Sequence, residues 1–164
     1  SGTFNDTGPS WYHDGKWIYF TSKRKDGSRI WRVSPKGGPP TQVTTGESLT
    51  AFESPDGKRL FYSKSRQAGL WVIPLDGGAE SQILPSLASN DTYAVTRQGI
   101  FFLRALDRVS VISFKSFATG LTEDIARTTA PTDMGLTVSP SGHSILYTQR
   151  DQSGSDLVLV ENLK

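Results

Sequence analysis

The sequence predicts an all-β fold of the propeller class, built from four four-stranded blades of which the last is incomplete. Three observations carry this. A short phrase recurs four times: Pro9-Ser10-Trp11-Tyr12-His13-Asp14-Gly15-Lys16, then Phe52-Glu53-Ser54-Pro55-Asp56-Gly57-Lys58, a worn Val95-Thr96-Arg97-Gln98-Gly99, and Val138-Ser139-Pro140-Ser141-Gly142-His143. The turn glycines Gly15, Gly57, Gly99 and Gly142 stand 42, 42 and 43 residues apart, a period that marks repeat architectures and fits four strands per unit. After each turn comes an apolar run, and after the first two runs a Trp-bearing strand that leads to a Gly-Gly pair.

Each element follows from its residues. Asp14-Gly15 and Asp56-Gly57 are hairpin signals, because Gly accepts a positive φ and Asp bonds nearby backbone. The second strand of each unit (Trp17 to Thr21, Arg59 to Ser63, Ile100 to Leu103, Ser144 to Thr148) is apolar on both faces. Such a strand needs cover on two sides, which stacked sheets provide. The third strand follows at Ile30 to Val33, Leu70 to Ile73, Val109 to Ser113 and Leu157 to Val160. Trp31 and Trp71 stand in it and are expected in the interior. Gly37-Gly38 and Gly77-Gly78 turn the chain into the fourth strand, at Gln42-Val43-Thr44 and Gln82-Ile83-Leu84, with Asp124-Ile125-Ala126 a weaker third version. The blades read as approximately 8–46, 49–86, 90–128 and 132–164 of one propeller segment, and neighbours must stack to bury their faces.

These residues resemble the TolB-type, WD40-like propeller repeat: an aromatic, Ser-Pro-Asp-Gly-Lys, an apolar strand, an Ile-Trp-x-Val strand and a Gly-Gly turn. Ser54 to Lys58 carries the whole motif; His13 replaces its Pro in the first repeat and Ser141 its Asp in the fourth. The resemblance covers almost the whole chain. It implies kinship with modules of the periplasmic Tol envelope machinery, of sensor halves of bacterial winged-helix regulators, and of caps on prolyl-oligopeptidase-like enzymes. It therefore favours an extracytoplasmic, periplasmic setting and specifies fold better than activity.

Composition narrows the classes. The chain has 164 residues, enough for a core, and a formal net charge of +2, too small to imply nucleic-acid contact. It has no Cys, which excludes disulfides and thiolate metal sites. No apolar run approaches the length of a membrane span. No Gly-x-Ser-x-Gly elbow, phosphate loop or dinucleotide fingerprint occurs, so no catalytic residue, metal or cofactor is expected. His13 and His143 read as exposed turn residues. Asp151 to Asp156 alternates oxygens as calcium loops do, a pattern that a polar hairpin tip also explains. The fourth blade lacks a fourth strand, and Thr3-Phe4-Asn5 is a candidate to close it. A four-blade ring, a piece of a larger ring and two associating half-rings are all compatible with this. A piece of a larger propeller is favoured, with homo-oligomers through exposed blade faces accompanying it.

Two features are candidate binding sites. Loops between second and third strands share one face of a propeller. In or beside them are Lys23, Arg24, Lys25, Asp26 and Arg29 in blade one, Lys64 and Arg66 in blade two, Arg104, Asp107 and Arg108 in blade three, and Arg150 and Asp151 in blade four. Nine basic groups against three acidic ones make a collar for an anionic partner: an acidic protein surface, a cell-envelope polymer or an acidic sugar. The plainer account is solvated hairpin tips. Glu53 occupies the place that Trp11, Val95 and Val138 hold in the other inner strands. It either binds a cation or ligand amine, or meets a neighbouring blade's Arg or Tyr. The function expected is a non-enzymatic recognition module of the TolB-like type. The alternative is the accessory propeller of an enzyme, a peptidase cap or sugar-active unit with its catalytic groups elsewhere.

Overall fold

A computed structural model describes residues 4–12, 14–150 and 155–161, with the backbone alone at 155 and 156. His13, Thr3 and the run from Asp151 to Gly154 lie outside the described residues, and with them those parts of the turn, closing-strand, collar and calcium-loop readings. The chain forms two compact units, residues 1–85 and 86–164.

The first unit holds two antiparallel meanders. β1 (Asn5–Trp11), β2 (Ile18–Arg24), β3 (Gly27–Val33) and β4 (Thr41–Gln42) make one sheet in that order; β5 (Ala51–Glu53), β6 (Arg59–Ser63), β7 (Leu70–Pro74) and β8 (Ser81–Leu84) make the next. In the second unit β9 (Tyr93–Val95), β10 (Gly99–Leu106), β11 (Val109–Ser116) and β12 (Thr122–Arg127) repeat the pattern. β13 (Thr132–Val138), β14 (Ile145–Arg150) and β15 (Ser155–Val160) give a three-stranded sheet. The architecture is the all-β, four-blade propeller type that the repeat predicts, with the last blade one strand short.

The inner-strand equivalence read from sequence holds in the register. Trp11 pairs with Ile18, Glu53 with Leu60, Val95 with Ile100 and Val138 with Ile145. One expectation is corrected. Phe4 and Asn5, candidates for closing the last blade, belong to blade one: Asn5 opens β1 opposite Lys23, and Arg24 lies over the Phe4 ring. The register of β1 slips between Thr7 and Ser10, where Gly8-Pro9 sits. Proline cannot donate to a ladder, so a bulge there is the way a strand carries it.

Burial shows why neighbouring blades depend on each other. Tyr19 and Ile30 of blade one pack with Ala51, Leu60 and Tyr62 of blade two. In the second unit Phe101, Leu103 and Ile112 of blade three pack with Leu136, Ile145 and Tyr147 of blade four. Leu60, Phe61, Tyr62 and Ser63 are consecutive and all buried, so β6 has no solvent face. Each such large apolar side chain contributes roughly 1.5–3 kcal/mol by leaving water. Trp31 and Trp71, expected inside, are only half-buried. Each is covered by a cation, the Arg24 guanidinium 3.4 Å and the Lys64 ammonium 3.7 Å from the ring centroid, at a range where the ring quadrupole attracts.

The repeated phrase encodes a hydrogen-bond circuit. In blade two the amide of Ser54 donates to the carbonyl of Arg59, and that of Gly57 to the carbonyl of Ser54. The Ser54 hydroxyl accepts from the Arg59 amide at 2.9 Å and lies 2.6 Å from Asp56 Oδ1, which also accepts from the Lys58 amide at 3.1 Å. Blade four repeats this through Ser139, Gly142 and Ser144. Gly57 sits at φ 73°, which a Cβ makes costly. In the worn third copy, Thr96 closes a shorter turn directly onto Gly99, so Pro, Asp and Lys have no role there. Ser54→Ala, which strands the Arg59 amide, should cost about 1–3 kcal/mol in urea unfolding; an unchanged midpoint would show that the circuit is incidental.

Candidate functional site

The collar residues lie in or beside the hairpin loops, some on the strand ends and some in the connections: Lys25, Lys64, Arg66 and Arg108 are in the connections. Arg24 pairs with Gly27 across a two-residue turn of Lys25 and Asp26, so Lys23 and Arg24 stand on β2 and Arg29 on β3. Leu106 likewise pairs with Val109 across Asp107-Arg108, with Asp107 at φ 51°. Arg104 is on β10, and Arg150 ends β14. The cations are thus held at rigid hairpin ends.

Most of those outside blade one are neutralised. Lys64 is buried, its side chain 8% exposed, and its ammonium meets Glu80 Oε1 at 2.5 Å and Gln67 Oε1 at 3.2 Å. The Tyr62 hydroxyl donates to the other Glu80 oxygen. Lys64 is therefore a structural cation, not part of a rim. Arg104 takes the equivalent rung in blade three and meets Asp124 at 2.6 Å, where the Ser113 hydroxyl also donates. Arg150 meets Asp133 at 2.9 Å, and Arg66, 86% exposed, meets Glu47 at 3.4 Å. Asp124 comes from an outer strand, Asp133 from an inner strand, Glu47 from the link between blades and Glu80 from the turn into β8, so a count restricted to the β2–β3-type hairpins omits them.

Blade one differs. Among the described residues no carboxylate forms an ion pair with Lys23, Arg24, Lys25 or Arg29. The Arg24 guanidinium lies over both Phe4, at 4.4 Å, and Trp31. Arg29 donates to the carbonyls of Asp26 and Ser28 at 2.8 and 3.1 Å. Lys23 and Lys25 are exposed, as is Arg108 in blade three.

Glu53 lies at the other end of the same sheets. It lines an open cleft of about 340 Å³ with Tyr12, Asp14, Lys16, Trp17, Arg32, Asp56, Gly57, Leu75 and Asp76, all in the first unit. Burial raises its pKa, the Tyr19 hydroxyl and Arg32 pull it down, and Asp14 and Asp56 push it up. Its Oε2, the Tyr19 hydroxyl and Arg32 Nε are all buried and complete no aligned hydrogen bond, though the three act on one another's charge. Glu53 of blade two thus sits with Tyr19 and Arg32 of blade one, whose hydroxyl and positive charge act on its carboxylate. Position alone singled out Glu53 in the sequence; Tyr12, Arg32 and Asp76 carried no comparable signal.

Comparison with solved structures places these features on a known scaffold. TolB from Acinetobacter baumannii matches 98% of this chain and 41% of its own at TM-score 0.79 and 18% identity. TolB from Agrobacterium tumefaciens matches 98% of this chain and 59% of its own at TM-score 0.78 and 20% identity. The chain has the TolB-type propeller fold. It spans less than two thirds of either TolB chain. A puromycin hydrolase structure matches 96% of this chain and 27% of its own at TM-score 0.70 and 18% identity, so the same blades also occur within an enzyme. No protein-family profile and no curated protein sequence matches. Among the described residues no helix is long and apolar enough to cross a membrane.

The two carboxylates Glu80 and Glu53 make opposite predictions. Lys64 and Tyr62 hold the Glu80 pKa below its ordinary value against the opposing effect of burial. Its contribution to stability is therefore complete above the unfolded carboxyl value and lost as pH falls through the folded one. The folded Glu53 pKa is raised, so the folded state holds its proton longer, and stability falls as pH rises through that value. Thermal melts should show Glu80→Gln lowering Tm at neutral pH and flattening the acid limb, and Glu53→Gln raising Tm at neutral pH. Equal shifts of the same sign would contradict both environments.

Proposed function

We propose that this chain is a non-enzymatic recognition module of the TolB-like propeller type, and that it meets an anionic macromolecule, a protein or cell-envelope polymer in an extracytoplasmic setting. One observation carries the reading: Lys23, Arg24, Lys25 and Arg29 gather on the β2–β3 hairpin with no ion-pairing carboxylate among the described residues, while Arg104 and Arg150 elsewhere are paired. Two of the four are already immobilised, Arg24 by rings and Arg29 by carbonyls. A partner therefore finds charge that costs little ordering entropy to engage. Arg66 and Arg108 are secondary contacts, the first tempered by Glu47.

Retention on immobilised polyglutamate against rising salt tests the charge. Arg24→Glu with Lys25→Glu should lower the eluting salt concentration and flatten the salt dependence, whereas Arg104→Glu should do much less. Retention indifferent to the blade-one pair, or lost equally with Arg104→Glu, would remove the hairpin from recognition.

A further inference from the structure

We propose that blade four of one copy of this chain docks on blade one of a second copy, so that the chain associates head to tail through two apolar blade faces. The inference does not rest on the cationic hairpin.

The repeat defines the first face. Thr21 pairs with Ile30, Ser63 with Leu70, Leu103 with Ile112 and Thr148 with Leu157, so Ile30, Leu70, Ile112 and Leu157 hold one position in four blades. The first three are no more than 1% exposed, whereas Leu157 is 68% exposed. A second position behaves likewise. Tyr19, Phe61 and Phe101 are buried, but their counterpart Leu146 is half-buried, and Leu159 opposite it is 56% exposed. Facing pairs and alternate residues share one side of a sheet, so Leu146, Leu157 and Leu159 form one apolar face. Single surface leucines need no explanation; a position that is buried in every other repeat does.

The reverse side of blade one is open in the same way. Ile18, Leu60, Ile100 and Ile145 each pair with the last residue of their inner strand. Leu60, Ile100 and Ile145 are fully buried, and so, two residues on, are Tyr62, Phe102 and Tyr147. Ile18 and Phe20, at the same two positions, are only half-buried. Trp11, opposite Ile18, is 66% exposed.

What covers such faces is seen twice within the chain. Tyr19 and Ile30 of blade one pack against Leu60 and Tyr62 of blade two, and Phe101 and Ile112 of blade three pack against Ile145 and Tyr147 of blade four. The pairing is the same each time: the Ile30-type face receives the Leu60-type face of the next blade. Leu146, Leu157 and Leu159 make a face of the first kind, and Trp11, Ile18 and Phe20 make one of the second. One copy therefore carries both halves of a joint, and a second copy supplies each half with its counterpart. Because the halves differ, the contact is heterologous.

Light scattering and sedimentation of the intact chain, from micromolar to millimolar concentration, test this. The chain should form dimers or larger species that persist in about 1 M salt, where charge contacts are screened. Leu157→Asp with Leu159→Asp should raise the dissociation constant tenfold or more, because docking would bury carboxylates without partners. Trp11→Asp, on the other face, should do the same, and it stands in should the leucine pair fail to fold. Melts check that each variant keeps its fold. Neither variant should associate alone, yet an equimolar mixture should associate again, since it retains one intact face of each kind. A monomeric wild-type chain would overturn the proposal and assign both faces to a different partner. Association lost in salt would overturn it in favour of charge, and a Trp11→Asp variant that pairs as well as the wild type would overturn it in favour of like faces meeting.

Discussion

Everything in this chain depends on middle strands that have no solvent face. β6 buries four consecutive residues and β10 five. A strand of that kind cannot exist in an isolated sheet, because its second face would expose Leu, Phe and Tyr to water at a cost of roughly 1.5–3 kcal/mol each. The neighbouring blade supplies the missing cover: Leu60 and Tyr62 pack against Tyr19 and Ile30, and Leu103 and Ile112 against Ile145 and Tyr147. The hairpin cations and the Glu53 cleft are both ends of strands fixed in this way. Their rigidity is a by-product of core packing.

The same burial explains what the sequence disclosed. The apolar runs after each turn were readable because a two-faced strand needs a continuous hydrophobic stretch, and the turns were readable because Ser54, Asp56 and Gly57 each perform a distinct bonding or conformational task. The place of Glu53 was legible for the same reason: a fixed register makes one residue per repeat comparable, and one carboxylate among Trp11, Val95 and Val138 stands out. The pairing of the cations was not legible. Glu80 reaches Lys64 from 16 residues away and Asp124 reaches Arg104 from 20, through cross-strand neighbours that no local window contains. Nor was Arg32, which looks like any outward-facing side chain of β3; only the fold reveals its charge acting on Glu53 and its plane on Trp17.

Pairing also changes what the charge can do. A cation held by a carboxylate across the sheet contributes a short-range dipole, and salt screens what remains beyond about 8 Å at physiological strength. An unpaired cluster keeps its monopole field and can attract a partner from farther away. With Lys64, Arg66, Arg104 and Arg150 each given an acidic neighbour, the nearly uniform collar suggested by counting hairpin residues becomes local. Blade one is where the positive field remains.

The two ends of the β1–β4 sheet then differ in kind as well as in sign. The hairpin cations are largely exposed and act through solvent, so their influence is long in range, weak per contact and sensitive to salt. Glu53 is partly withdrawn from water, so a cation brought to it interacts at lower effective dielectric, where one contact is worth more and salt matters less. Tyr19, Thr21 and Ser22 are buried along β2, so the strand that joins the two ends is held by packing.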